Sequence, residues 1–316
     1  MQDFFFSINV TVPIFMVMVL GWWLKQVGML DSSFVTVANK FNFQVTLPCM
    51  LFLDISSVDI RAVFDLSYVL FCAIASSICF WGIWGISKLF LKGEDRAMAG
   101  AFVQASFRSS AAVMGLAFIQ NIYGQSAMGP LMIVGAVPLY NIYSVLVLTF
   151  EGQQDVDRKG KIREAFVNVL RNPIIIAIFL GLLASFGGIK LPDLARKPIQ
   201  SVAQMATPLA LVSLGAGFEG RKALAKIRPT LAAAFLKLVA QPAVFLPIAI
   251  SMGFGREKLI AILIMLAAPA TPSCYIMAKN MGHDGTLTAS VVVATTLLSA
   301  FTLTGWIFLL KSFGYL

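Results

Sequence analysis

The stretch Ala267-Ala-Pro-Ala-Thr-Pro-Ser-Cys274 interrupts an apolar run, Leu259 to Met281, that is otherwise typical of a membrane-spanning helix. Pro269 and Pro272 each remove an amide donor and clash with the preceding helical turn. Broken backbone at membrane depth is tolerated only where protein or a polar cavity surrounds it. Thr271 is a favourable N-cap, and Pro272 suits the first helical position. The stretch therefore predicts two half-helices that meet near the middle of a bilayer.

The start of the second half-helix has two interpretations. Its unpaired N–H groups and the positive end of its dipole favour an anion, so the break could be a binding site. A proline-kinked helix without a ligand is the alternative, because kinks are common in membrane helices. The stretch alone does not distinguish them.

The composition places the chain among membrane proteins. Of its 316 residues, 59% are hydrophobic and 12% are charged, and the mean hydropathy is +0.85. These values exclude an ordinary soluble domain. The net charge of +9 does not indicate a nucleic-acid partner, because the basic residues lie between the apolar runs. The four cysteines and the single histidine form no metal or disulfide motif, so we expect no cofactor.

Ten apolar segments are long enough to cross a bilayer, which takes about 20 residues. They are approximately residues 5–25, 34–54, 67–90, 97–121, 127–150, 172–189, 198–218, 229–251, 258–281 and 287–311. A polar and basic connection divides them into five spans and five spans. The sequence therefore predicts an all-α integral membrane protein, with a five-helix repeat at 1–150, a loop at 151–171 and a second five-helix repeat at 172–316.

The basic residues assign an orientation to these spans. Fifteen lysines and arginines lie in the loops of one side, which include the central loop, and seven lie on the other side. Because basic loops remain in the cytoplasm, we expect the central loop inside the cell and both termini outside. The predicted location is the plasma membrane, with the lipid bilayer around the protein.

The two halves share a spacing of 160 residues. Four pairs of prolines or glycines recur at this offset: Pro13 and Pro173, Gly21 and Gly181, Gly28 and Gly188, Pro48 and Pro208. Because each half has five spans, the second half must enter the membrane upside down, as in the inverted repeats of many secondary transporters. The offset also relates Pro269 and Pro272 to Ser109 and Ala112, in the fourth span. Spans 4 and 9 are therefore predicted to be broken at corresponding positions.

The fourth span contains an arginine, Arg108, next to this position. An arginine near the membrane centre costs at least ~2.5–3.5 kcal/mol, so its side chain should face a cavity or a partner. One interpretation is a guanidinium fork for a carboxylate substrate, and the other is a structural pair with an acid or with helix-end carbonyls. Ser109 and Ser110 follow it and can cap a helix start.

The other polar residues of the spans give weaker signals. No acidic residue lies centrally in a span, so the intramembrane carboxylate of a proton pump or sodium exchanger is not evident. Lys237, in the eighth span, is expected to extend towards the cytoplasm, with a secondary role near an anion path as the alternative. Uncharged residues that could contact a substrate or a cation, or simply join helices, are Asn42, Asn141, Gln204, Thr207 and Ser290.

Three segments together resemble the auxin efflux carrier family, above all the bacterial members called malonate or malate permeases. They are Leu47-Pro48 to Phe52, Phe107-Arg108 to Leu116, and Pro269 to Pro272 with Met281 to Asp284. The resemblance covers the whole chain and implies a scaffold domain, a transport domain and elevator-like transport of an organic anion where spans 4 and 9 cross. It implies a site formed by Arg108, Ser109, Ser110, Gly115, Pro269, Thr271, Pro272 and Ser273.

Three functions stay open from the sequence. We expect a secondary carrier of small organic anions, such as malonate or malate, with H+ or Na+ as the coupling ion if there is one. The second function is a sodium-coupled symporter of the bile-acid-carrier type, with Asn42, Gln204 and Ser290 near the sodium ion. The third is a membrane receptor or a membrane-embedded enzyme, although the sequence has no HExxH, P-loop or Cys/His pair. A homodimer is compatible with the predicted fold.

Overall fold

The computed structural model describes residues 2–57, 65–91, 93–111, 128–151, 167, 170–189 and 191–316. Every regular element among these residues is a helix. In the first half the helices are α1 (Gln2–Gln26), α2 (Ser32–Phe41), α3 (Leu47–Ser56), α4 (Leu66–Phe90), α5 (Ala99–Phe107) and α6 (Met128–Phe150). In the second half they are α7 (Pro173–Gly187), α8 (Asp193–Gln204), α9 (Ala206–Ala216), α10 (Gly220–Ala225), α11 (Ile227–Phe235), α12 (Gln241–Ser251), α13 (Arg256–Ala267), α14 (Ser273–Asn280) and α15 (Thr286–Ser312).

Five helical stretches have the length and apolar composition to cross a membrane. They are Leu66–Phe90, Leu131–Phe150, Asp193–Ala216, Ile227–Ser251 and Thr286–Ser312, and Val12–Gln26 and Pro173–Gly187 are shorter apolar helices. The chain is therefore a multi-pass membrane protein. Helices α4, α6 and α15 begin and end within one residue of the predicted segments. The end of the predicted fourth segment, after Ala111, lies outside the described residues.

Two long helices contain a π-turn that ends two positions before a proline, which the sequence analysis did not predict. Asn42–Thr46 joins α2 to α3, and Leu236–Ala240 joins α11 to α12. Pro48 and Pro242 then lie in the first turn of the next helix, where a missing N–H costs least. A π-turn adds a residue to the helix, so side chains beyond it are rotated by about 100° from their α-helical direction.

Two close helix approaches occur at positions related by the offset of 160. A Cβ on Gly21 of α1 would lie 2.3 Å from the carbonyl oxygen of Val212 in α9. A Cβ on Gly181 of α7 would lie 3.1 Å from the carbonyl oxygen of Phe52 in α3. The two glycines are 160 positions apart, and so are Phe52 and Val212. The contact of α1 with α9 therefore corresponds to the contact of α7 with α3.

The helix contacts fall into two groups. Helices α1 to α3 and α7 to α9 pack mainly on one another, α4 to α6 pack with α11 to α15, and α1 joins the two groups through its contact with α15. In the second group, every residue of α5 and every residue of α13 from Leu259 onwards is buried. A helix that is buried all round lies at the centre of its group. The ends of α5 and α13 are thus enclosed by protein.

We predict that Gly21→Ala destabilises the fold, because the added methyl group would overlap the Val212 carbonyl and push α1 away from α9. We expect a loss of ~1–3 kcal/mol, seen as a lower midpoint of thermal unfolding in detergent. Gly82→Ala is the matched control, since Gly82 lies inside α4 and an added Cβ there would have no atom within 4 Å. The control should keep or raise the midpoint, because alanine favours a helix. Equal midpoints for the two variants would contradict the close approach of α1 and α9.

Candidate functional site

The two central helices, α5 and α13, end beside each other. Arg108 and Ala268 follow them in extended conformation, with ψ of 137° and 151°, and these residues are 160 positions apart. The Ser110 amide donates a hydrogen bond of 2.9 Å to the Pro269 carbonyl, so the two broken stretches contact each other directly. The chain leaves helical geometry at both positions where the sequence predicts a break.

Lys237 bridges the two helix ends. Its Nζ atom donates to the Leu266 carbonyl at 2.8 Å and to the Phe107 carbonyl at 3.4 Å, and the residue is fully buried. Its position also suits a cation, because the C-terminal end of a helix dipole is negative. The prediction that Lys237 extends to the cytoplasm is therefore wrong. The physical reason is that two helix-end carbonyls inside the protein accept hydrogen bonds from its amine, so the side chain does not have to reach water.

Other side chains bind the neighbouring backbone groups of both breaks. Three contacts are involved: Gln241 Nε2 to the Ser106 carbonyl at 2.6 Å, the Tyr140 hydroxyl to the Met265 carbonyl at 3.1 Å, and the Ala270 amide to Thr295 Oγ1 at 3.0 Å. They come from three different helices, and sequence analysis did not identify them as part of the site. One signal was present, since two polar residues four apart, Lys237 and Gln241, interrupt an apolar span and share a helix face.

Arg108 lies on the other side of the same break, with neutral partners. It is only 4% exposed. Its Nη2 donates to Asn141 Oδ1 at 2.8 Å, and its Nη1 is 2.7 Å from Met277 Sδ and 3.5 Å from Ser144 Oγ. None of the ion pairs found among the described residues includes Arg108. Within the part of the chain that the structure describes, the guanidinium charge is buried without an opposite charge, which is an unfavourable state for a protein to maintain.

A small cavity adjoins Arg108 and collects most of the predicted site residues. It has a volume of about 30 Å³, which is space for about two water molecules. Its polar lining includes Arg108, Ser109, Ser110, Asn141, Thr271 and Ser273. The Ser109 hydroxyl donates to the Ala268 carbonyl at 3.1 Å. Gly115, the remaining predicted residue of the fourth span, lies outside the described residues.

Helix α14 starts at this cavity, one residue later than predicted. Pro272 rather than Thr271 is the N-cap residue, and no side chain of the described residues caps the helix start. The Thr271 hydroxyl lies 3.1 Å from the Ser273 hydroxyl instead of accepting from a backbone amide. The prediction of Thr271 as a side-chain cap is therefore wrong, because Pro272 occupies the position between Thr271 and the first helical residue. The positive end of the α14 dipole borders the cavity.

The five uncharged polar residues that the sequence offers as further contacts do not lie together in one group. Asn141 holds Arg108, but Asn42 Nδ2 donates to the Ala206 carbonyl at 2.9 Å, and the Ser290 hydroxyl donates to Thr286 in its own helix at 2.8 Å. Gln204 and Thr207 line a separate cavity of about 840 Å³ between α3, α7 and α8. Met50 lines both cavities and so forms part of the wall between them.

Two ion pairs fix the ends of the stretch that contains α13 and α14. Lys258, at the start of α13, pairs with Asp65, and this hydrogen bond is the main reason that the pKa of Asp65 is lowered to about 2. Lys226 pairs with Asp284, after α14, at 2.5 Å. Burial raises the pKa of Asp284, but hydrogen bonds from Lys226 and Thr286 outweigh it and lower the pKa to about 2.

We predict that Thr295→Val destabilises the protein by ~1–3 kcal/mol, because the buried Ala270 amide would lose its acceptor. Thr296→Val is a matched control, since Thr296 is also buried but its hydroxyl bonds only to the Val292 carbonyl in its own helix. The measurement is the midpoint of unfolding in detergent for both variants. A cost for Thr296→Val as large as that for Thr295→Val would contradict the assigned role of the Thr295 hydroxyl.

Comparisons with known proteins bear on the activity of this site. A family model described as "Membrane transport protein" matches residues 6–307. The chain is 24% identical over 302 residues to the uncharacterized transporter YfdV of Escherichia coli strain K12, which covers 92% of this chain and 93% of the relative. It is 22% identical over 311 residues to the putative malonate transporter of Rhizobium meliloti strain 1021, which covers 96% of each. The family model spans nearly the whole chain, so the predicted resemblance is confirmed. The protein belongs to the membrane transport protein family, that of the auxin efflux carriers, and is a membrane transporter.

Proposed function

We propose that this transporter is a secondary carrier of small organic anions, and that the anion binds where the two broken helices cross. The substrate class is a mono- or dicarboxylate such as malonate or malate. The observation that carries the proposal is the buried guanidinium of Arg108, which lines a cavity and has only neutral partners among the described residues. A carboxylate would supply the opposite charge that this guanidinium lacks.

The geometry around Arg108 supports a carboxylate in particular. A guanidinium binds a carboxylate through two parallel hydrogen bonds, and here its present partners are an amide oxygen, a thioether sulfur and a hydroxyl. The acceptors of these hydrogen bonds are uncharged, so they hold the guanidinium less strongly than a carboxylate would, and an anion can replace them. The positive end of α14 lies at the same cavity and would favour the anion as well.

The other proposed contacts are divided between hydroxyl groups and the broken backbone. Ser109, Ser110, Thr271 and Ser273 line the cavity and can donate to a second carboxylate or to other oxygens of the substrate. Pro269 and Pro272 contribute by keeping the chain out of helical geometry. We also assign Gly115 to this site. The name of the Rhizobium meliloti relative, a putative malonate transporter, supports a dicarboxylate at 22% identity.

The transport mechanism that we propose is elevator-like, in a chain of ten spans arranged as two inverted five-helix repeats, 1–150 and 172–316. The paired contacts of Gly21 with Val212 and Gly181 with Phe52 support the repeat. Helices α1 to α3 and α7 to α9 would form the scaffold. Helices α4 to α6 and α11 to α15 would form the moving transport domain. A cavity of about 30 Å³ is too small for a dicarboxylate, so the groups must move apart to admit it. The basic loop 151–171 would lie in the cytoplasm, and both termini outside the plasma membrane.

We predict that Arg108→Gln weakens malonate binding by at least ~10-fold, because a charge-assisted hydrogen bond contributes ~1.5–3 kcal/mol. The measurements are malonate-induced thermal stabilisation in detergent and malonate uptake by proteoliposomes. Arg228→Gln is the matched control, since Arg228 is exposed at the start of α11 and its replacement removes the same charge. It should bind and transport malonate like the wild type.

If Arg108→Gln protein remains folded and transports malonate as fast as the wild type, Arg108 does not bind the substrate. Equal losses in Arg108→Gln and Arg228→Gln would indicate a general effect of net charge on anion approach instead of a contact.

A further inference from the structure

We infer that Lys237 is the proton-coupling residue of this transporter, which takes up a proton when the anion binds at Arg108 and releases it when the anion leaves. This inference rests on the proposed function and adds the identity of the coupling ion to it. It starts from the position of Lys237, a fully buried amine at the crossing of the broken helices.

The hydrogen bonds of Lys237 allow both protonation states. Its two partners are the backbone carbonyls of Leu266 and Phe107, and no carboxylate among the described residues pairs with it. A neutral amine has two N–H groups, so it can still donate to both carbonyls after it has lost a proton. Loss of the proton therefore does not require the helix ends to separate.

Among the described residues, the surroundings of Lys237 contain one other buried cation and no buried acid. The π-turn Leu236–Ala240 packs on α5, α11, α12, α13 and α15. Arg108 follows directly after α5, and the thiols of Cys79 on α4 and Cys274 on α14 also face Lys237. The remaining charged residues of these helices lie in terminal turns, away from the crossing: Arg228, Arg256, Glu257, Lys258 and Lys311.

Two cations at one buried crossing make the charge state of Lys237 depend on the anion. Arg108 keeps its proton under all physiological conditions, whereas a lysine can release its proton when it is buried. Both positive charges act on the thiol of Cys274, and like charges that share a buried site repel each other in a medium of low dielectric constant. An anion at Arg108 offsets this repulsion, so anion binding and protonation of Lys237 favour each other by the same factor.

The resulting cycle balances in atoms and charge. A proton from the aqueous phase adds to the lone pair of the Lys237 amine as the anion binds. The ammonium and the anion then cross the membrane in the same state of the protein. On the other side the anion dissociates, and the proton returns to water. Up to one proton therefore accompanies each anion, although the sequence has no acidic residue centrally in a span.

The test is the number of protons that the purified, full-length protein takes up on binding malonate. Isothermal titration calorimetry in buffers of different ionisation enthalpy, over the neutral pH range, measures this number directly. We expect the wild type to take up a fraction of a proton, up to about one, per malonate bound. Lys237→Arg has a permanent charge, and we expect it to bind malonate without proton uptake.

Further variants keep the test decisive if Lys237→Arg does not fold. Lys237→Gln retains neutral N–H donors for the helix-end carbonyls, and it should also bind malonate without proton uptake. Lys222→Arg is the matched control, because Lys222 is exposed and pairs with Glu219 at the surface. It should show the proton uptake of the wild type. In proteoliposomes, a pH gradient should drive malonate accumulation by the wild type and by Lys222→Arg, but not by either Lys237 variant.

The outcomes separate this inference from the proposed function. Malonate binding by the wild type without proton uptake would overturn the inference and leave the anion site intact. Uptake that persists in both Lys237 variants would also overturn it, since the proton would then be carried by malonate itself or by another group. Failure of the wild type to bind malonate at all would contradict the proposed function, and the inference with it.

Discussion

Backbone groups that leave a helix inside a membrane must find hydrogen-bond partners within the protein, and this requirement organises the centre of the structure. The two breaks supply part of each other's hydrogen bonds, because the Ser110 amide donates to the Pro269 carbonyl. Side chains on other elements bind the neighbouring groups, and they are Tyr140, Lys237, Gln241 and Thr295. Each contact needs a polar group in an otherwise apolar core. The polar centre of the molecule is thus a consequence of the two breaks, and it is also where we propose that the anion binds.

The charges at this centre are divided between two sides of the same break. Lys237 lies at the negative ends of α5 and α13 and contacts their carbonyls. Arg108 lies on the cavity side, near the positive end of α14, where an anion is favoured from two directions. One cation therefore stabilises the breaks, and the other has no opposite charge among the described residues. In the mechanism that we propose, this division lets a transporter without a central acidic residue select an anion and respond to protons.

The sequence predicted the features that depend on local chemistry. The ends of α4, α6 and α15 agree with the ends of the apolar segments. The break after Ala267 followed from two prolines three residues apart. Arg108 was recognised because a charge is costly in a membrane. Features that depend on distant contacts were not predictable: the carbonyl partners of Lys237 lie 29 and 130 positions from it, and the partner Met277 lies 169 positions from Arg108. Thr271 was misjudged as a cap because the helix starts one residue later than its local preference indicates.

The most direct measurement is a cryo-electron microscopy structure of the protein in lipid nanodiscs with malonate. We expect a malonate carboxylate within ~2.7–2.9 Å of the Arg108 guanidinium, beside the N-terminus of α14, in a cavity that has widened from about 30 Å³. We also expect Lys237 to keep its contacts with the helix-end carbonyls. Malonate bound away from the crossing, with Arg108 still on Asn141 and Met277, would contradict an anion site between the broken helices.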